Sequence, residues 1–311
     1  MTEVFEKRVL SSDGVHELVG TVYMPEGTPK GLFHVVHGMT EHIGRYDRFM
    51  RAVAEQGFIC FGYDHLGHGR TALDESEFGY IARKDGWKRL AEDVSLFGET
   101  MKAEYGERLT YVLMGHSMGS FVVRTAAVTT FVPDKLVVMG TGGPNPASGV
   151  GLLLLKLIGF FKGQRSRSEL VEKLIFGNYN DTFADENDPK SWLAKDPAVR
   201  SAYAGDPLSG FKFTISAHKD LIHLLRFSNN KSWAKKLDKS IPVLLVSGEC
   251  DPVGDYGKGV RKVNEMLEDA GAQVTMKLYP DCRHEILNDY CGDEVYADIL
   301  AFAKGDESAK A

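Results

Sequence analysis

"LTYVLMGHSMGSFVVRTAAV", residues 109–128, joins an unbroken apolar run to a stretch of helical character through a Gly-x-Ser-x-Gly string. With 33 glycines in 311 residues, a chance match to that string has odds of roughly one in five, so its neighbours must give it meaning. The run Leu109–Met114 has the length and composition of a buried strand, and the spacing predicts a helix from Met118 onward. Ser117 then falls on a tight strand-to-helix turn, where its backbone is strained and its hydroxyl exposed. Side chains at Gly115 and Gly119 would collide there, because strand and helix cross closely. This makes Ser117 a candidate nucleophile.

Working outward, the same alternation recurs. Two β-rich stretches around the turn "SSDG" predict an N-terminal hairpin, followed by strands at "LFHVVHG" and "FICFGYD" with a helix at 46–57 between them. A helix over 87–106, the strand 109–114 and a strand at "KLVVMG" continue the series. Strands at "IPVLLVSG" and "QVTMKLYP" then alternate with helices over 258–271 and 292–305. Repeated βα units predict a mostly parallel central sheet flanked by helices. The rhythm breaks between 141 and 235, where helical pieces and Gly, Asn and Asp-Pro punctuation occur without a convincing strand. The expected organisation is therefore a core from 1–140 and 236–311, a helical cap from 141–235, and a polar, frayed "DESAKA" at the end.

A serine hydroxyl needs a histidine base, and the base needs an orienting carboxylate. In a sheet of this kind they follow in the order Ser, Asp or Glu, His, in loops after later strands. "GECDPVG" places Asp251 just past one strand, with Asp255 and Glu249 as competitors, and "DCRHEILN" places His284 just past the next. His218 and His223 compete for the base role from within the cap. The oxyanion requires two N–H donors: that of Met118, after the nucleophile, and one from the loop "HGMTEH", for which Met39 is expected. His34/His37 and His65/His68 have His-x-x-His spacing, but no HExxH string or carboxylate cluster accompanies them, so neither a metal nor another cofactor is expected.

Charge and composition narrow the partners. Lys and Arg total 37 against 43 Asp and Glu, a net charge of −6 that offers no footprint for nucleic acid. The N-terminus lacks the pattern of a secretory signal, so the chain reads as cytoplasmic. Its four cysteines lack CxxC spacing and read as free thiols, Cys250 and Cys282 as packing residues near the site. The apolar run Gly151–Phe161 is interrupted by Lys156 and is too short to span a bilayer.

"HGMTEHIGRY", "YDHLGHGRT", "GHSMGS", "GECDPVG" and "RHEILN", in this order and with a cap before the acid, resemble the monoacylglycerol lipase and lysophospholipase branch of the serine α/β-hydrolases over residues 15–303. The resemblance implies an α/β-hydrolase fold and hydrolysis of a small-molecule acyl ester by Ser117, Asp251 and His284, with Met39 and Met118 as oxyanion donors and a mobile cap shaping an acyl pocket. Thr40 and Thr71 depart from the residues this branch often carries there. The run Gly151–Phe161 is expected to be a cap helix, either packed inward as core or lining the acyl pocket through Leu153 and Leu154 and touching lipid surfaces transiently. Two alternatives stand beside the esterase: an aminopeptidase, whose amine-binding acids would come from "DENDPK" and Asp206, and a hydrolase-fold protein that only binds ligands.

Overall fold

The computed structural model describes residues 2–305, so the terminal "DESAKA" lies outside them. The chain opens with the hairpin β1 (Glu3–Leu10) and β2 (Glu17–Met24), paired from Glu3↔Met24 to Leu10↔Glu17. Then follow β3 (Gly31–Val36), α1 (Asp47–Glu55), β4 (Phe58–Tyr63), α2 (Gly86–Tyr105), β5 (Thr110–His116), α3 (Met118–Ala126) and β6 (Lys135–Met139). Helices alone fill the next hundred residues: α4 (Ser148–Lys162), α5 (Glu169–Phe176), α6 (Pro197–Gly205), α7 (Ile215–Ser228) and α8 (Lys231–Lys236). The sheet then resumes with β7 (Val243–Gly248), α9 (Lys258–Asp269), β8 (Val274–Tyr279) and α10 (Gly292–Lys304).

The eight strands run in the order β1-β2-β4-β3-β5-β6-β7-β8. β2 meets both β1 and β4 antiparallel, and every pairing from β4 to β8 is parallel. Central strands buried on both faces must be apolar throughout, and alternate residues then serve opposite layers. On β3, Leu32 and Val36 join the core beneath α2, α3 and α9, whereas Phe33 and Val35 join the core beneath α1 and α10. α1 presents Phe49, Met50, Val53 and Ala54 to that second layer, and Gly57, at φ 98°, takes the left-handed turn that returns the chain to β4.

Within the expected 141–235 cap, α7 and α8 pack on the main layer: Ala217, Leu224, Trp233 and Ala234 belong to the core beneath α2 and α3. Buried Arg124 of α3 ties that helix to α7 and α8. Its guanidinium donates to the Ser228 carbonyl at the end of α7 and to Asn229 Oδ1 (3.2 Å), and lies 4.4 Å from the Trp233 ring. The Ser228 carbonyl, at the C-terminus of α7, is one of those left without an intrahelical partner, so a cation there also meets the negative end of the helix dipole.

Candidate active site

Parallel strands bring the loops after β3, β5, β6, β7 and β8 to one edge of the sheet. Ser117 sits between β5 and α3 at φ 53°, ψ −120°, a conformation a residue with a side chain adopts only when its surroundings impose it. Its N–H donates to the Met139 carbonyl at the end of β6, 3.0 Å away. A Cβ on Gly115 would lie 2.3 Å from the Gly119 carbonyl oxygen, and one on Gly119 would lie 2.2 Å from that of Val36. Both glycines are therefore demanded by the close crossing of β5, α3 and β3.

His284, in the loop after β8, is 3 % exposed, and its Nδ1 lies 2.9 Å from Oδ2 of Asp251, which is fully buried in the loop after β7. Asp251 is fixed in turn by the Val253 N–H, donated to Oδ1 at 2.9 Å. Ser117 and His284 line the same cavity of about 880 Å³. The competitors are not bonded to His284; Asp255 lines the same cavity, but His284 Nδ1 meets Asp251. Asp255 and Glu249 are exposed, His218 is paired with Glu172 at 2.9 Å, and His223 stacks on Trp87.

Met39 and Met118 line the cavity beside Ser117. Neighbouring amides are committed: Gly38 N–H to Glu41 Oε1 (2.5 Å), Thr40 N–H to His68 Nε2 (3.3 Å) and Ser117 N–H to Met139. The histidines with His-x-x-His spacing hold this loop. His37 donates from Nδ1 to the Gly38 carbonyl and accepts the His65 N–H at Nε2, and His68 donates from Nδ1 to the Leu66 carbonyl. Burial lowers the pKa of His37 and His65 well below the usual histidine value and that of His68 to about 4, so all three serve as neutral braces. His34 stacks on Phe61 within the core and bonds the Tyr111 hydroxyl. Among the described residues, no group of three or more His, Cys, Asp or Glu is arranged to hold a metal ion.

The two threonines that depart from the family pattern have local work. Thr40, at φ 53°, bonds the Tyr203 hydroxyl through Oγ1 at 3.0 Å, and Thr71 Oγ1 donates to the Asp64 carbonyl and accepts the Val19 N–H.

Two expectations need correction. Leu153 and Leu154 are 60 % and 36 % exposed and neither lines the cavity. α4 turns Leu155 and Gly159 inward instead, so the apolar walls come from Phe121 on α3, Leu174 and Ile175 on α5, and Leu221, Ile222 and Leu225 on α7. The helix is apolar on nearly every side, and no periodicity identified the buried stripe. The cysteines also differ: Cys60 and Cys250 are free, but Cys282 and Cys291 form a disulfide, their Cα atoms 6.5 Å apart. The turn that leaves β8, carries His284 and enters α10 folds back on itself, uniting thiols that sequence spacing left unpaired.

The sequence also left several site residues unremarked. Lys190, Trp192 and Tyr203 line the cavity, the Trp192 ring 5.3 Å from that of His284, and Glu41 and His116 lie on its floor. Of the acids considered as amine ligands, Glu186 pairs with Arg283 and Arg200, Asp188 with Arg200 and Asp206 with His42, while Asp185 is exposed and does not line the cavity. Their segment contributes Pro189 and Lys190 to the cavity lining.

A parallel sheet with an antiparallel start, a strained serine between β5 and α3, and an Asp–His pair after β7 and β8 define an α/β-hydrolase. The comparisons agree. The family model described as serine aminopeptidase, S33, matches residues 27–290. Human monoglyceride lipase is 33 % identical over 287 residues, covering 89 % of this chain and 82 % of that protein. The monoacylglycerol lipase of Mycolicibacterium smegmatis is 27 % identical over 285 residues, 88 % of this chain and 87 % of its own. Among solved structures, a thermostable carboxyl esterase from Bacillus coagulans in complex with glycerol superposes with a TM-score of 0.92 at 31 % identity, over 98 % of this chain and 99 % of that one. The chain belongs to this family and is a monoglyceride lipase-like serine hydrolase.

Proposed function

We propose that the protein hydrolyses acyl esters of the monoacylglycerol or lysophospholipid type through a Ser117 acyl-enzyme. The observation that carries this reading is the buried Asp251–His284 pair opening onto the cavity that holds Ser117. Ser117 Oγ attacks the ester carbonyl while His284 Nε2 takes its proton, and Asp251 holds Nδ1–H and stabilises the imidazolium. The N–H groups of Met39 and Met118 receive the oxyanion. Collapse of the tetrahedral intermediate expels the alcohol, which leaves with the proton from His284. Water then enters, gives its proton to His284 and attacks the acyl carbon; the acyl–Oγ bond breaks as His284 returns the proton to Ser117 Oγ, releasing the fatty acid and restoring Ser117.

The walls from α3, α5 and α7 suit an acyl chain, each buried methylene contributing about 0.8 kcal/mol. The helices between β6 and α7 act as the cap. Their outer surface exposes Leu153, Leu157, Phe160 and Phe161 on α4 and Leu170 on α5, an apolar face suited to transient contact with a lipid surface. Among the described residues, no helix is long and apolar enough to cross a membrane.

Glycerol release from a medium-chain monoacylglycerol is the test, run beside release of amine from an aminoacyl anilide. Turnover of the ester, abolished by Ser117→Ala, supports the reading, and turnover of the anilide alone refutes it.

A further inference from the structure

Behind Ser117 and His284 lie four charged side chains that the hydrolytic steps do not use. Glu41, Arg45, His116 and Glu285 are each at or below 9 % side-chain exposure. Hydrogen-bond accounting fixes the protonation of one of them. The Tyr46 hydroxyl donates its proton to Glu41 Oε1 at 2.8 Å, so its oxygen can only accept from His116 Nδ1, also 2.8 Å away. On the other side of the ring, His116 Nε2 faces the His284 carbonyl oxygen at 3.2 Å, and a carbonyl also only accepts. Both ring nitrogens must therefore carry protons.

We infer that His116 is a standing imidazolium that positions the His284 base, clamping its carbonyl and linking it through Tyr46 and Glu41 to the Gly38 amide of the oxyanion loop. This rests on the reading of Ser117 and His284 given above. Glu41 supplies the counter-charge, its Oε1 3.4 Å from His116 Nδ1 while accepting the Gly38 N–H. Arg45 closes the set, with Glu285 Oε2 at 2.5 Å and Glu41 Oε2 at 3.5 Å. One cluster thus joins three loops: that after β3, which carries Met39; the turn in which His116 precedes Ser117; and that after β8, which carries His284. His116 is a positioning residue, since its hydrogen bonds go to the His284 backbone, Tyr46 and Glu41, and the titratable ring it faces, that of His284 at 4.7 Å between centroids, is the one it holds in place.

Electrostatics agree. Burial opposes the charge on His116, but the hydrogen bond and charge of Glu41 outweigh it, with Glu285 assisting, so its pKa stands above the usual histidine value. Burial likewise opposes ionisation of Glu41, yet His116, Arg45 and Tyr46 bring it down to about 2. A histidine pKa raised by folding means that the clamp is whole at lower pH and is lost as pH rises through the raised value. Tyr46, pushed well above its ordinary pKa, stays neutral throughout.

The experiment has two arms. In wild-type protein carrying ¹⁵N-histidine, side-chain NMR, with assignment by His116→Gln, is expected to find both His116 nitrogens protonated at pH 7; a neutral tautomer overturns the inference. In the second arm, Glu41→Gln and His116→Gln are expected to lower kcat by about 10–100-fold with KM little changed, measured per Ser117 titrated by a fluorophosphonate. The alkaline limb of the wild-type pH profile should disappear in His116→Gln, whose amide N–H does not titrate. A lowered melting temperature with unchanged kcat per labelled site would make the cluster merely structural. If wild-type Ser117 resists the fluorophosphonate, the proposed function fails, while the NMR arm still reads the protonation state.

Discussion

Gly119→Ala is the substitution whose outcome the geometry predicts most sharply. A methyl at this position would stand 2.2 Å from the Val36 carbonyl oxygen and 2.5 Å from that of His37, where ordinary contact begins near 3.4 Å. Both obstacles are backbone at the end of β3, so relief requires α3 to move by roughly 1 Å relative to the sheet. Ser117 and Met118 stand at the N-terminus of α3 and move with it, while Met39 stays with the β3 loop. Overpacking of this kind costs about 1–3 kcal/mol of stability, and a misplacement of about 1 Å at the reacting groups costs on the order of 100-fold in rate. Gly205→Ala is the control, because a methyl at the end of α6 meets no atom within 4 Å. That change should be neutral or stabilise by up to about 1 kcal/mol. Turnover of p-nitrophenyl butyrate, the rate of fluorophosphonate labelling and thermal denaturation measure the pair. A Gly119→Ala protein with wild-type labelling rate and melting temperature would refute the argued crossing of strand and helix.

Asp251→Asn should lower kcat by about 10⁴-fold with the fold retained, because an amide facing Nδ1 favours the wrong histidine tautomer; ester turnover checks it. Cys291→Ser, which opens the loop containing His284, should cost roughly 2–3 kcal/mol by loop entropy, visible as a lower midpoint in urea. Leu225→Asn should depress hydrolysis of long-chain monoacylglycerols relative to a butyrate ester, whereas Leu153→Asn should leave that ratio unchanged for monomeric substrates and weaken adsorption to phosphatidylcholine vesicles. Asp220, 3 % exposed with one oxygen unpartnered, is pushed by burial to a pKa of about 7. Its protonated form is favoured by folding, so its contribution is whole below pH ~4 and is lost as pH rises through 7. Denaturant unfolding at pH 5 and 8 should therefore show a fall in wild-type stability that Asp220→Asn reduces by a few kcal/mol.

Features set by local pattern were readable from the sequence, and features set by chain reversal were not. The strands carrying Leu32–Val36 and Leu109–Met114 announced themselves as apolar runs, and Gly115 and Gly119 marked the turn at Ser117 because only a missing side chain allows that crossing. That Asp251 and His284 meet was legible from their places after successive strands. α4 misled because apolar residues surround it, so spacing did not distinguish inward Leu155 from outward Leu153. The Cys282–Cys291 bond, the inward packing of α7 and the Glu41–His116 pair all join segments through the third dimension, between 9 and more than 70 residues apart. Glu41 and His116 each lay inside a conspicuous string, "HGMTEH" or "GHSMGS", but neither string reveals that the two side chains meet.

The proposed chemistry stands on Ser117 as the nucleophile, activated by His284. Its most direct measurement is peptide mapping by mass spectrometry after brief exposure to a fluorophosphonate, on wild-type, His284→Ala and Ser117→Ala proteins. One adduct is expected on wild-type Ser117, formed within minutes, greatly slowed in His284→Ala and missing in Ser117→Ala. An adduct on another residue, or equally fast labelling of Ser117 without His284, would contradict it.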